Sequence, residues 1–379
     1  MKAFLSTHVV LRFLALLVLI FLGSSQVHAA DSLGWSTDRG LVVEAADGTT
    51  VFGAHVELAP SFSLSSIKEP TERVTGYNLS LDRARLRFEG RPGSSSLSYA
   101  LSISADSGLL ELQDAWLEVS LGHPSIGLRA GRMKRPFSQQ GLIPYRRMVM
   151  PDRALTESVF RSGRDVGAMF HGPDRAVFEW ALGAFLGAYD SPSTVGKRVR
   201  REVLSEQDAG ERAGSLVFRL ARRPKMGSLA DESDGFKLPF RWSIGLSGQA
   251  FLGSEDGLKS ALQGAVDLRI AARGFMLSGS FFVATEQDGD AFVDQTFEGA
   301  GYTLQTSYRI GTTIEPSLRF THLVFGQPSS DVKDVSVGCA VLFQRGLLRW
   351  LNRVGMTTRD IDGGYRSDVL LISQLSLNY

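Results

Sequence analysis

The chain has 379 residues, with 41 Lys+Arg against 40 Asp+Glu, 40 Gly, one Cys and a mean hydropathy of −0.01. Near-neutral charge leaves no electrostatic footprint for nucleic acid, and one Cys excludes a disulfide scaffold or a multi-Cys metal cluster. The hydropathy excludes a polytopic helical membrane protein, so length alone would suggest two or three soluble domains.

The first element is an address. Lys2 and Arg12 precede an unbroken apolar run, Phe13 to Leu22, and Val27-His28-Ala29 follows with small residues at −3 and −1. The run is too short to span a bilayer, so residues 1–29 read as a secretory signal peptide, with 30–379 as the exported chain. Cleavage would remove two cations and no acid, leaving 39 Lys+Arg against 40 Asp+Glu.

After residue 40 no long stretch carries an i, i+3, i+4, i+7 apolar stripe; alternation takes its place. Leu97, Tyr99, Leu101 and Ile103 interleave with Ser98, Ser102 and Ser104, and Tyr302, Leu304 and Tyr308 with Thr303, Gln305 and Ser307. Such a strand has one apolar and one polar face, and about ten residues cross a membrane when tilted. Sixteen segments read this way: 50–59, 77–90, 97–106, 110–121, 125–134, 164–171, 176–188, 212–222, 240–252, 261–273, 275–285, 298–310, 313–325, 332–345, 347–360 and 366–379. The predicted fold is all-β: a transmembrane antiparallel β-barrel of 16 strands, with residues 41–47 leaving 18 open.

The gaps alternate between long and short, as outer loops and periplasmic turns do. An exception is the 17-residue gap 223–239. Twelve of the thirteen prolines fall in gaps, as a closed ladder requires, and Pro316 is the exception. The last segment alternates Val369, Leu371, Leu375 and Leu377 with polar residues and ends on Tyr379, like the sorting signal of outer-membrane barrels. The expected location is therefore the outer membrane of a Gram-negative bacterium, in contact with lipid and lipopolysaccharide.

Sixteen strands enclose a water-filled lumen. The 29-residue gap 135–163 is the candidate for an inward-folded constriction loop, with Arg135, Arg146, Arg147, Arg153 and Arg161 against Asp152 and Glu157. In 82–89, Arg83, Arg85 and Arg87 share one face, which must point inwards because a lipid-facing Arg costs about 2–4 kcal/mol at midplane. These arginines, with Lys134, Arg135, Arg146, Arg147 and Arg153, make a candidate anion path; equally, they could pair with Asp82, Glu89 or neighbouring-strand acids and solvate the wall. Lys197, Arg198, Arg200 and Arg201 read as a solvated or lipopolysaccharide-facing outer patch.

Four stretches then carry a resemblance: DRARLRFEG (82–90), LQDAWLEVS (112–120), GRMKRPF (131–137) and RSGRDVGAMFHG (161–172). In order and spacing they resemble the phosphate-selective porin O and P family. The resemblance implies a sixteen-stranded outer-membrane homotrimer passing phosphate or related anions, with Arg83, Arg85 and Arg87 in the wall and Lys134 at the start of the constriction. Asp82 stands where that family places an arginine, Arg132 replaces a glutamine and Ser162 replaces a proline, so the solute can differ.

Other signals are weaker. His123 and Ser125, the candidate pair for an outer-membrane lipase, have no nearby acid; Asp288, Asp290 and Asp294 lack the Gly and Glu of a calcium loop. His55, His171 and His322 lack metal-ligand spacing, and Cys339 shares an apolar face with Val335, Val337 and Val341. The expected function is a passive, anion-preferring diffusion porin, with no enzyme activity and no cofactor. The alternative is a structural or adhesive barrel with an occluded lumen, binding through loops 60–76 and 189–211.

Overall fold

The computed structural model describes residues 32–36, 40–44, 51–68, 73–93, 96–106, 110–122, 126–160, 163–173, 177–186, 214–224, 232–233, 239–252, 260–287, 297–325, 331–343, 346–361 and 364–378. The proposed signal peptide, His123, Ser125, Arg161, Ser162, the 189–211 loop, the 197–201 cations, Asp288, Asp290, Asp294 and Tyr379 lie outside them.

Every consecutive pair of strands from β3 to β18 is antiparallel, and β18 pairs back onto β3, so sixteen strands form a closed ring. They are β3 (Val51–Lys68), β4 (Arg73–Arg91), β5 (Leu97–Ser104), β6 (Glu111–Leu121), β7 (Ile126–Lys134), β8 (Arg164–His171), β9 (Phe178–Phe185), β10 (Gly214–Arg222), β11 (Arg241–Leu252), β12 (Ser260–Ala272), β13 (Phe275–Gln287), β14 (Phe297–Tyr308), β15 (Ile314–Phe325), β16 (Val332–Phe343), β17 (Leu348–Ile361) and β18 (Gly364–Asn378). Closure leaves no ring edge for a further strand, so the eighteen-strand alternative does not hold for the barrel. The short hairpin β1 (Ser32–Ser36) and β2 (Gly40–Glu44) instead pairs with residues 51–54 of β3, beyond the point where β18 stops at Glu57.

Alternation sorts the side chains. On β10, Leu216, Phe218 and Leu220 are exposed, while Val217, Arg219 and Ala221 are buried; β14 exposes Tyr302 and Leu304 and buries Thr303 and Gln305. Exposed apolar residues of this kind encircle the barrel, as a lipid-facing belt requires. Cys339 belongs to the outward row of β16 with the exposed Val335 and Val337. The β12–β13 turn is Arg273-Gly274, where both residues have positive φ (49° and 96°), the geometry of a two-residue hairpin.

One loop expectation is corrected. The stretch 60–76 is mostly strand, because β3 runs on to Lys68 and β4 begins at Arg73. Pro60 lies inside β3, at the one register irregularity of that hairpin, where the ladder skips a donor. Pro316 also sits within β15, opposite Cys339.

Candidate functional site

The 135–163 segment folds into the lumen. Its ends meet where Arg135 N–H donates to Gly163 O at 3.1 Å. Between them lie α1 (Gln139–Leu142), a single 3₁₀ turn at Tyr145–Arg147 and α2 (Leu155–Phe160). Ser138 caps α1, its hydroxyl accepting from Gly141 N–H at 2.9 Å. Lys134 closes the other end, its Nζ donating to the carbonyls of Gly141, Leu142 and Ile143 at 2.9, 3.2 and 3.3 Å.

All six residues of α2 are buried. Phe160 stacks on Phe282 of the wall with centroids 5.5 Å apart, and Thr156 shares a 2.8 Å hydrogen bond with Thr303. The seat for α2 is a glycine: a Cβ on Gly301 would lie 2.8 Å from Leu323 and 3.0 Å from both Phe160 and Thr156. Met133, Phe137, Leu155, Val159, Phe160, Phe282 and Leu323 belong to one apolar cluster, so this half of the lumen is packed.

Wall arginines satisfy the loop's carbonyls. Arg83 donates to Pro151 O at 2.6 Å, Arg219 to Phe137 O at 3.0 Å and Arg319 to Asp152 O at 2.9 Å; Arg349 reaches the carbonyls of Arg146 and Met148. Asp152 is gripped by two cations, with Arg319 at 2.9 Å and Arg353 in contact, while Arg353 also meets Asp334 at 2.9 Å. Burial pushes the Asp152 carboxyl up, but Arg353 and Arg319 outweigh it and hold it below the usual carboxylate range.

A second segment enters from the opposite rim. Glu232, in the long 223–239 connection, is buried (2 % exposed). Its carboxylate accepts from Gln140 Nε2 at 2.7 Å, Val149 N–H at 3.1 Å and Gln305 Nε2 at 3.1 Å, and its N–H donates to Arg147 O at 3.1 Å. Ser233 then bonds Glu315 of β15 at 2.8 Å. Sequence reasoning singled out this gap by its length, but nothing local marks Glu232 as the residue that meets the inward loop.

Space remains on the β3–β8 side. A cavity of about 330 Å³ lies between that wall and the loop. Its lining carries eight Arg or Lys residues against four Asp or Glu. Of the candidate path residues, Arg85, Arg87, Lys134, Arg135, Arg146 and Arg153 line it, while Arg83 and Arg147 do not. Arg85 pairs with Asp106 at 2.5 Å, and Arg87 with Glu89 at 2.8 Å and Asp114 at 3.0 Å, so the wall arginines point inwards with acids beside them. Lys134 and Arg153 turn their charges onto loop carbonyls, Arg153 reaching Ile143 O at 2.7 Å. Arg135 is buried with Asp165 at 3.9 Å. Arg146 faces the cavity; burial lowers its pKa from the ordinary value, and the charges of Arg147 and Arg87 lower it further.

His171 approaches Glu118 at 3.1 Å and His322 approaches Asp331 at 3.3 Å. Among the described residues no group of three His, Cys, Asp or Glu could hold a metal ion.

No family model and no curated protein matches the chain. Solved structures do. A loop-deletion mutant of OmpT, an outer-membrane protein of Vibrio cholerae, superposes with a TM-score of 0.59 at 10% identity, covering 87% of this chain and 100% of its own. In-vitro folded OmpT of Vibrio cholerae, in a trimer form, gives 0.56 at 8% identity over 87% of this chain and 100% of its own. The outer-membrane channel DcaP of Acinetobacter baumannii gives 0.59 at 10% identity over 89% of this chain and 99% of its own. At such identities the likeness is one of fold: this chain has the architecture of bacterial outer-membrane β-barrels.

Proposed function

We propose that the chain is a passive, anion-preferring diffusion porin of the bacterial outer membrane, exported by the segment 1–29 and performing no covalent chemistry. The observation that carries this reading is the excess of cations over acids around the open half of the lumen. A positively biased passage walled by low-dielectric protein lowers the barrier for anions and raises it for cations. Arg85, Arg87 and Arg146 are the proposed path. Arg83, Lys134, Arg135 and Arg153 hold the loop that shapes it, and Arg147 supports the contact with Glu232. The solutes are small anions, phosphate or related ones in keeping with the family resemblance. A homotrimer is proposed on the same resemblance and on the trimer form of OmpT.

The test is the reversal potential across a planar bilayer in a KCl gradient. Chloride preference supports the reading; clear cation preference overturns it and leaves the barrel intact. Blockade by added phosphate then tests the solute, and molecular mass of the unheated detergent-solubilised protein tests the trimer.

A second reading, a structural or adhesive barrel with an occluded lumen, draws on the packing of the other half of the lumen by the inward loop. Absence of any single-channel conductance would favour it.

A further inference from the structure

His55 projects inward from β3 and is buried (5 % exposed), yet neither ring nitrogen has a hydrogen-bond partner among the described residues. Buried polar side chains are almost always bonded, so one without a partner that lines a cavity calls for a partner from within it. His55 lines the 330 Å³ cavity. Directly across the ladder stands Arg87, which places the two Cβ atoms about 5 Å apart. Arg146 reaches the same space from the inward loop, and the other charges felt by the ring are Glu57 and Glu89.

We propose that His55, Arg87 and Arg146 form a binding station for a small oxyanion within the pore. The proposal rests on the anion-preferring reading and deepens it, because it gives the path a point of residence as well as a field. A neutral imidazole offers one N–H donor and one acceptor nitrogen. The donor meets an anion oxygen, while the guanidinium groups of Arg87 and Arg146 supply the opposing charge from wall and loop. Glu57 and Glu89 keep the station from binding too tightly, which conduction demands, since a solute must leave as readily as it enters.

The experiment is blockade of chloride current by sulfate, with inorganic phosphate as a second probe, in bilayers at about 0.1 M salt, where screening is moderate. Wild type is expected to show concentration-dependent block by both. His55→Ala should raise the half-blocking concentration about tenfold, the loss of one hydrogen bond to a charged ligand. His55→Gln, which keeps a donor at similar reach, should recover most of that loss. Heat-modifiable migration checks that each variant is folded; should His55→Ala fail to fold, Arg146→Ala carries the same expectation from the loop side. An anion-selective wild type that neither probe blocks overturns the station alone, as does a block unchanged in folded His55→Ala. A cation-selective wild type overturns the parent reading instead.

Discussion

The guanidinium carbon of Arg83 lies 3.8 Å from the centre of the Tyr145 ring, joining the second strand of the ring to the tip of the inward loop. Arg153 and Arg85 approach the same ring at 4.6 and 5.3 Å, so one aromatic ring gathers three cations. Arg83 also binds Gln374 of β18 at 2.8 Å, closing a tie between both sides of the β3 seam. Arg83→Ala is expected to cost about 2 kcal/mol, since it leaves Pro151 O and the Gln374 amide oxygen without this donor. The urea midpoint of the detergent-solubilised barrel should fall, and open-channel current noise should rise.

Asp152 neutralises Arg319 and Arg353, which are nearly fully buried. Asp152→Asn leaves those charges undercompensated and should cost about 3 kcal/mol. The pH dependence follows from the depressed carboxyl. Its contribution is complete above the unfolded carboxylate value of about 3.9 and is lost as pH falls through the lower folded value. Loop-opening noise should therefore appear in wild type only below that range, and in Asp152→Asn at every pH. Noise in wild type already at pH 5 would contradict the clamp.

Glu232→Ala removes acceptors from Val149 N–H, Gln140 and Gln305 at once. Conductance should increase because two inward segments lose their junction. Glu232→Gln retains an acceptor and should change it less. Equal conductance in wild type and Glu232→Ala would show that the junction does not limit flow.

Gly301→Leu places a branched side chain where even a Cβ is crowded by Leu323, Phe160 and Thr156. Overpacking should cost about 1–3 kcal/mol and displace α2 from the wall. Thermal migration assays should show the loss. Gly76→Ala, whose Cβ would have only an ordinary 3.6 Å contact with Ser65, is the matched control and should be neutral.

The strands were legible because every membrane-crossing strand repeats one demand, apolar out and polar in, and period two records it locally. The segment read as 164–171 coincides with β8, and 240–252 differs from β11 by one residue. The 60–76 stretch misled because Pro60 signals a break that a bulge absorbs, although Phe62 and Leu64 alternate with serines beyond it. Loop length pointed to an inward fold, and alternation placed Arg85 and Arg87 on the inner face, where acids stand beside them. Which cations serve as fasteners was not legible, since Arg319 and Asp152 stand 167 residues apart and Arg349 and Met148 stand 201 apart. Such contacts leave no periodic trace.

Those separations order the assembly of the molecule. Arg319 sits on β15 and Arg349 and Arg353 on β17, so three of the fasteners arrive only with the last quarter of the chain. The loop they secure is made much earlier, directly after β7, and the ring itself shuts only when β18 finds β3. Contacts of such long sequence separation form late because their closure entropy must be met first. A barrel caught midway through insertion therefore has a loose interior, and a locked loop is a certificate that its penultimate strand is in place.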